Sequence, residues 1–311
     1  MILDEIKTLL KQNDNFYITS HINPDGDAVG SCFGLGLALQ KLGKNVQVIL
    51  DPFQSRFDII PGGGLLSKKA FSGDIFLICL DCADISRLIP HCQKLTKSMA
   101  SVVNIDHHYT NTNFGNLNYV DGNASSTCEL VYRLLDNFVK LDKDIASALY
   151  AGMVSDTGGF RFNSTSSNTL MAAGKLVSCG IDFTAIYTEL MLMRSYTEIK
   201  ILAKVLESTQ LSADGKIMHV CVDQNMIKSI PNALSRDVEG IVEMMLNTRG
   251  VEISVLLYEK ENGEIKISFR SRNTNVGEVA KKFGGGGHHL AAGANAKGNI
   301  YEIREQVLSL L

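Results

Sequence analysis

The chain has 311 residues, about twice the length of a typical domain, which predicts two domains. Hydrophobic residues make up 45% and charged residues 20%, as in globular proteins, and the net charge of −3 argues against a broad basic surface that wraps duplex DNA. No apolar run approaches the roughly 20 residues that span a bilayer, and the seven cysteines show no disulfide framework, so we expect a cytoplasmic protein with no membrane partner.

The first half of the chain alternates between segments typical of buried strands and segments typical of helices. Apolar, β-rich runs predict strands at 16–20, 46–50, 74–80 and 101–105. A helix is expected over 28–42, Ser126 and Glu129 have the spacing of a capping box, and Asp142 can cap a helix that runs to about residue 154. Strands that alternate with helices in this way indicate an α/β domain with a mostly parallel sheet.

The second half begins with a long helical segment over 182–211 and continues with a different pattern. Three strands are predicted at 216–223, 251–260 and 264–272, with a hairpin turn signal at 261–263. A short helix, a glycine-rich stretch and an amphipathic C-terminal helix follow. We therefore expect an N-terminal domain at 1–185, a helical linker at 186–212 and a smaller α+β domain at 213–311.

Histidine is rare, and five of the seven histidines fall in three short segments. In the first segment, His21, Asp25 and Asp27 come directly after a predicted strand. A histidine and two carboxylates are costly to bring together without a cation. In open α/β sheets, ligands bind at the carboxyl ends of the strands. The alternative is a turn whose aspartates cap the following helix, with Asp27 as the cap.

Three more segments place similar residues at the ends of predicted elements. Asp81 ends one strand, Asp106-His107-His108 ends another, and Asp156 ends a helix. Carboxylate and imidazole ligands suit Mn²⁺, Fe²⁺, Co²⁺ or Zn²⁺. Together the four segments offer more ligands than one ion can use, so we expect a site for two ions at one edge of the sheet.

These segments resemble, in order, the motifs of the DHH phosphoesterase superfamily, which is named after the tripeptide at 106–108. The matching stretches are HINPDGD at 21–27, LDCAD at 80–84 and SDTGG at 155–159, and GGGGHHLAAG at 284–293 is similar to the signature of the associated DHHA1 domain. Length and spacing look most like the nanoRNase type. That resemblance implies hydrolysis of short oligoribonucleotides to mononucleotides and of 3′-phosphoadenosine 5′-phosphate (pAp) to AMP.

The resemblance also implies a role for each motif residue. The first ion would be held by His21, Asp25 and Asp81, and the second by Asp27, Asp81, His107 and Asp156. Asp81 would bridge two Mn²⁺ ions, Asp106 would orient a histidine, and His108 would face the substrate phosphate. The two ions would lower the pKa of a water, and the resulting hydroxide would attack phosphorus in line.

Substrate recognition is expected mainly from the second domain. Its candidate phosphate-binding residues are Arg270, Ser271, Gly286, Gly287 and His288, and Arg161 is a candidate in the first domain. Glycines allow backbone N–H groups to approach an anion closely. The alternatives are a flexible glycine loop and a solvated arginine. The expected partners are short single-stranded RNA, mononucleotides or dinucleotides, not duplex DNA, and the sequence is compatible with a homodimer.

Other functions fit parts of this pattern. A linear or cyclic dinucleotide phosphodiesterase, acting on pApA or cyclic di-AMP, would carry the same motifs. A family II inorganic pyrophosphatase is disfavoured, because Asn273 stands where a lysine is expected after Ser271-Arg272. A non-catalytic nucleotide sensor is disfavoured because every expected ligand position holds a residue that can bind a metal.

Overall fold

A computed structural model describes residues 2–68, 71–238 and 240–311. The chain forms two compact units, Met1–Met193 and Arg194–Leu311. Within the described residues, no helix is long and apolar enough to cross a membrane. The boundary at 193 lies inside the segment that the sequence suggests as a linker, and the domain limits at 185 and 213 stay predictions.

The first unit is built on a five-stranded parallel sheet in the order β2-β1-β3-β4-β5. Its strands are β1 (Asn15–Thr19), β2 (Asn45–Ile49), β3 (Phe76–Leu80), β4 (Ser101–Asp106) and β5 (Leu117–Val120). Four of them are the predicted strands, and the α/β prediction is confirmed. The sequence analysis did not predict β5, because its residues are only half-buried and polar residues interrupt the run.

Helices flank this sheet and enclose the main hydrophobic core. They are α1 (Ile2–Gln12), α2 (Gly26–Lys41), α3 (Pro90–Leu95), α4 (Thr127–Leu135), α5 (Lys143–Asp156), α6 (Ser167–Val177) and α7 (Phe183–Tyr187). The Asp142 side chain accepts a hydrogen bond from Ile145 N and caps α5 as predicted. Core side chains such as Phe16, Phe33 and Leu149 are at most 1% exposed, so this unit has a well-packed interior.

Helix α4 shows a capping arrangement that differs from the predicted one. The Ser126 hydroxyl accepts from Glu129 N, as expected for a cap. The Glu129 carboxylate, however, accepts from Ser125 N and Ser125 Oγ rather than from Ser126 N. Burial of Glu129 explains the difference, because a carboxylate that is 1% exposed needs several donors. Thr169 Oγ1 and the Arg133 guanidinium supply two more.

The second unit contains a six-stranded mixed sheet in the order β10-β11-β9-β8-β7-β6. The strands are β6 (Gln210–Leu211), β7 (Ile217–Val222), β8 (Ile253–Glu259), β9 (Ile265–Ser271), β10 (Gly286–Gly287) and β11 (Ala291–Ala296). The helices are α8 (Tyr196–Glu207), α9 (Gln224–Lys228), α10 (Ile241–Leu246), α11 (Val276–Lys282) and α12 (Ile300–Leu308). Gly263, at φ +76°, closes the predicted hairpin between β8 and β9.

The glycine-rich stretch forms a tight hairpin rather than an unpaired loop. Gly286 and Gly287 pair with Gly293 and Ala292 of β11. A β-carbon at Gly285 would lie 2.2 Å from Gly293 O, and one at Gly287 would lie 2.6 Å from Ala291 O. These two glycines are therefore required by backbone packing. A β-carbon at Gly286 would meet nothing within 4 Å, so close packing does not account for this glycine.

Close packing of α2 on α5 depends on Gly30. A β-carbon there would lie 2.6 Å from the carbonyl oxygen of Ala148, and a backbone atom cannot move aside easily. We expect Gly30→Ala to lower the free energy of unfolding by about 1–3 kcal/mol, measured by urea denaturation. The matched control is Gly174→Ala in α6, where the space is open and alanine should stabilise by about 0.5–1 kcal/mol. Equal effects of the two substitutions would contradict this account of the packing.

Candidate metal centre

The candidate site lies at the carboxyl ends of three neighbouring parallel strands. His21 comes two residues after β1, Asp81 directly follows β3, and Asp106 is the last residue of β4. Because β1, β3 and β4 are adjacent in the sheet, these side chains start from one edge. Ile22 N donates to Arg87 O at 2.8 Å, which fixes the backbone beside His21.

Asp81 is at the centre of the site. Its Oδ2 is 3.5 Å from His21 Nε2, and its Oδ1 is 3.6 Å from His107 Nε2 and 3.7 Å from His108 Nδ1. The residue is 2% exposed. Its φ of +53° is unusual for an aspartate and carries a conformational cost of about 1–3 kcal/mol. This backbone reversal ends β3 and turns the carboxylate toward histidines from two other strand ends.

Asp27 and Asp156 form a second group of donor atoms with His107. His107 Nε2 is 3.4 Å from Asp156 Oδ2. The Asp27 carboxylate accepts from Thr127 N at 2.7 Å and from Cys128 N at 2.9 Å, so it sits at the N-terminus of α4. The proposal that Asp27 caps α2 is therefore wrong. That helix begins at Gly26, and its cap is Asp25, which accepts from Asp27 N and Ala28 N.

The structure brings together all six side chains that the motifs suggest as metal ligands. Three clusters have donor atoms within 4.8 Å of one another: His21, Asp25 and Asp81; Asp27, His107 and Asp156; and Asp81, His107 and His108. Carboxylate oxygens and imidazole nitrogens suit Mn²⁺, Fe²⁺, Co²⁺ and Zn²⁺. The donor set therefore fits divalent metal ions. The assignment of each residue to one ion stays a prediction.

The carboxylates in this group repel one another, as the raised pKa values of Asp27 and Asp156 indicate. Burial, together with the negative charges of Asp81 and Asp156, raises the pKa of Asp27 well above its ordinary value. Burial and the charge of Asp81 raise the pKa of Asp156 to about 8. Burial would also raise the pKa of Asp81, but the hydrogen bond from His21 and the nearby His107 and His108 hold it below its ordinary value. A divalent cation would relieve this repulsion.

Asp106 is fully buried and holds His108. Asp106 Oδ1 is 2.7 Å from His108 Nδ1, and this hydrogen bond is the main cause that raises the pKa of His108 to about 9. The other carboxylate oxygen accepts from Asn111 Nδ2 at 2.6 Å, and the same amide donates to Asn104 Oδ1 at 2.9 Å. The Asp106 carboxylate therefore fixes the His108 ring and favours its protonated form.

Sequence reasoning missed three residues that support the site. Thr127 Oγ1 donates to Asp81 Oδ1 at 3.2 Å, and Asn104 and Asn111 form the amide network behind Asp106. One of them has a signal in the sequence, because Asn104 is a polar residue inside the apolar run of β4 and is fully buried. Buried amides of this kind are hydrogen-bonded and fix their neighbours.

Within the second unit, the suggested substrate-binding residues gather at one end of the sheet. Arg270 pairs with Ala291, and Ser271 N donates to Leu290 O, so both lie beside the β10–β11 hairpin that carries His288. Arg270 Nε donates to Glu243 Oε1 at 3.3 Å. Ser271 is 5% exposed, and its hydroxyl accepts from Asn273 N and Thr274 N, which gives it a turn-forming role.

Arg161 lies in the first unit, in the turn that follows α5. Its side chain is exposed, and its guanidinium carbon is 5.2 Å from the centroid of the Phe162 ring. Substrate binding by Arg161 and by the second-unit residues stays a prediction.

The chain matches family models in both halves. The model of the DHH family, N-terminal domain, matches residues 15–153, and the model of the DHHA1 domain matches residues 223–311. The chain is similar to the protein named bifunctional oligoribonuclease and PAP phosphatase NrnA from Thermus thermophilus. The identity is 31%, over 94% of this chain and 87% of that protein.

Solved structures agree with this assignment. An exopolyphosphatase-related protein from Bacteroides fragilis has a TM-score of 0.88 and 28% identity, covering 99% of this chain and 95% of that chain. The exonuclease RecJ bound to manganese shares the fold, with a TM-score of 0.57 at 13% identity, covering 100% of this chain and 94% of that chain. The chain therefore belongs to the DHH family of phosphoesterases, a class of phosphoric ester hydrolases, and carries a DHHA1 domain.

A divalent cation should stabilise the first unit, because it relieves the repulsion among Asp27, Asp81 and Asp156. We expect MnCl₂ to raise the unfolding temperature of the wild-type protein in scanning calorimetry. Asp81→Asn should remove most of this increase, because the amide keeps the size of the side chain but loses its charge. Asparagine also tolerates the positive φ at this position, so the variant should fold.

The control for this experiment is Asp84→Asn. Asp84 is three residues further along the same loop and accepts a hydrogen bond from Ser86 N, a role that asparagine can take over. Its manganese-induced increase should equal that of the wild type. A full increase in Asp81→Asn would show that the metal binds without this carboxylate.

Proposed function

We propose that this chain is a two-metal phosphoesterase that hydrolyses short oligoribonucleotides to mononucleotides and pAp to AMP. The observation that carries the proposal is the Asp81 carboxylate. Its Oδ2 faces His21 and its Oδ1 faces His107, so one side chain belongs to two groups of donor atoms. A carboxylate shared in this way suits a pair of ions. The choice of substrate rests on the similarity to the Thermus protein.

The positions of the clustered aspartates and histidines suggest a role for each residue in the reaction. When bound, the two ions supply Lewis-acid charge and lower the pKa of the water that attacks phosphorus. We assign His21, Asp25 and Asp81 to one ion, and Asp27, Asp81, His107 and Asp156 to the other, with Mn²⁺ as the native metal. This assignment leaves Asp106 and His108 outside the ligand set.

His108 is the group that we expect to touch the phosphate. Its Nδ1 is occupied by Asp106 at 2.7 Å, which leaves Nε2 as the donor for a phosphoryl oxygen. The same hydrogen bond raises the pKa of His108 to about 9 before any metal ion binds, which favours the protonated ring. A fixed cationic donor stabilises the negative charge that develops on the phosphoryl oxygens in the transition state.

The second unit is proposed to bind the substrate through Arg270, His288 and the backbone of Gly286. Gly286 supports this role because the space above it is open. Arg270 supports it because its guanidinium is only part-buried and can form bidentate bonds to phosphate. Gly287 and Ser271 contribute through the hairpin and turn that they shape. The proposed partners are therefore small nucleotides and short RNA, in keeping with the net charge of −3.

A comparison of substrates in Mn²⁺ tests the proposal. The set is a diribonucleotide, pAp, pApA, cyclic di-AMP, pyrophosphate and a single-stranded RNA of some twenty nucleotides. We expect the highest kcat/KM on the diribonucleotide and pAp, with clearly slower hydrolysis of the long RNA. Asp81→Ala should abolish hydrolysis of all of them while the fold remains, because the shared carboxylate is lost.

Preferred hydrolysis of cyclic di-AMP or pApA would replace the proposed activity with a dinucleotide phosphodiesterase. Equal rates on the diribonucleotide and the long RNA would contradict the preference for short substrates. Retained activity in Asp81→Ala would contradict the two-metal assignment. Activity is measured as release of AMP or phosphate over time.

Arg270→Ala separates binding from chemistry. We expect KM for pAp to rise by about tenfold or more, because a charged hydrogen bond contributes about 1.5–3 kcal/mol, and kcat to change little. The control is Lys266→Ala, which removes another cation from the same strand, β9, four residues away. Its KM should stay near that of the wild type. A fall in kcat with unchanged KM would place Arg270 in the chemical step instead.

A further inference from the structure

Tyr109 is an exposed aromatic residue that directly follows His108 of the metal centre in the chain. It is 82% exposed, the highest value among the exposed large hydrophobic side chains of the described residues. Consecutive Cα atoms are about 3.8 Å apart. The side chain of Tyr109 therefore leaves the backbone close to His108, whose imidazole is proposed to contact the phosphate. Single exposed aromatic residues are common on protein surfaces, so the position of Tyr109 next to His108, and not its exposure alone, sets it apart.

The loop at 121–123 holds the Tyr109 ring on one side. A β-carbon at Gly122 would lie 2.4 Å from each of two Tyr109 ring carbons, so only a glycine allows the ring to rest here. Tyr109 Oη donates to Asn123 Oδ1 at 3.4 Å. We call residues 121–123 the tyrosine support. The ring therefore has a defined position although most of its surface is open.

The tyrosine support is itself anchored. Asp121 Oδ1 accepts from Asn123 N at 3.0 Å, and Asp121 Oδ2 accepts from Arg133 Nη1 at 2.8 Å. Asp121 N also donates to Asp106 O at 3.2 Å, which connects the support to the end of β4. The same strand end that carries His108 therefore also carries the support for Tyr109. A ring fixed in this way loses little conformational entropy when a ligand stacks on it.

Three of the four other exposed aromatic rings differ from Tyr109 in one respect, and among the described residues only Phe183 also lacks a cation over its ring. Phe162, Tyr196 and Tyr301 each have a cationic side chain over the ring, within 5.7 Å of the centroid. Among the parts of the chain that the structure describes, no cation lies over Tyr109. Its open face is thus available to a flat partner from outside the chain.

We infer that Tyr109 is a stacking platform for the nucleobase of the substrate. The inference rests on the proposed function, because it takes the phosphate of a nucleotide to lie at His108. The base next to that phosphate would then lie over the ring. Every base has a π-face, and stacking on an aromatic side chain contributes about 1–3 kcal/mol per base. Tyr109 would add affinity for nucleotides over phosphate esters that lack a base.

Fluorescence provides a direct test of stacking. The chain contains no tryptophan, so Tyr109→Trp introduces a single indole emitter. Titration with AMP in Mn²⁺ should quench its emission in a saturable way, whereas ribose 5-phosphate should not. The control variant is Tyr301→Trp in α12, whose emission should respond to neither compound. The absence of quenching by AMP, or equal quenching by both compounds, would overturn the inference.

Kinetics provide a second test with a conservative variant. Tyr109→Ala should lower kcat/KM on pAp by about tenfold or more, mainly through KM, and should leave hydrolysis of ribose 3′,5′-bisphosphate unchanged. Tyr109→Phe keeps the ring and should retain the wild-type kcat/KM on pAp. An equal loss on both substrates, or a changed oligomeric mass of Tyr109→Ala, would show that the ring supports the fold or a protein contact instead.

The two proposals fail in different ways. If the wild-type protein hydrolyses neither pAp nor a diribonucleotide, the proposed function fails. The fluorescence titration then still decides whether Tyr109 stacks on a base, because it requires binding and not turnover. If the wild-type protein hydrolyses both and Tyr109→Ala behaves like the wild type, the stacking inference alone is wrong.

Discussion

The carboxylate of Asp81 is the constraint on which the site depends. It is buried at the end of a central strand, and its negative charge helps to raise the pKa of both Asp27 and Asp156. Several buried carboxylates in one place are unfavourable unless cations or hydrogen bonds compensate them. Three histidines and the start of α4 supply part of this compensation. A divalent metal ion would relieve the repulsion that remains among these carboxylates.

Helix α4 explains how the group keeps its geometry. Two backbone N–H groups of its first turn bind Asp27, and Thr127 Oγ1 binds Asp81. Carboxylates are favourable at a helix N-terminus because of the unpaired N–H groups and the helix dipole. Glu129 lies in the same first turn, and its buried carboxylate accepts hydrogen bonds from Ser125, Thr169 and Arg133. These bonds hold the first turn of α4 in place. The N-terminus of α4 thus holds Asp27 and Asp81, two acidic residues that come from different parts of the chain.

Much of the first unit could be predicted from the sequence. The buried strands read as apolar runs, and the carboxyl ends of neighbouring parallel strands must meet, so His21, Asp81 and Asp106 could be placed at one edge. The partner of Asp27 could not be predicted, because Thr127 is 100 residues away in the chain. The glycine hairpin was also missed, since the packing of Gly285 on Gly293 is a tertiary contact without a periodic signal.

We propose that the carboxylate of Asp81 binds both metal ions. A crystal structure of the wild-type protein grown with Mn²⁺, with diffraction data collected at the manganese absorption edge, tests it most directly. We expect two anomalous peaks that both contact Asp81, one also bound by His21 and the other also bound by His107 and Asp156. A single peak, or two peaks that Asp81 does not connect, would contradict it.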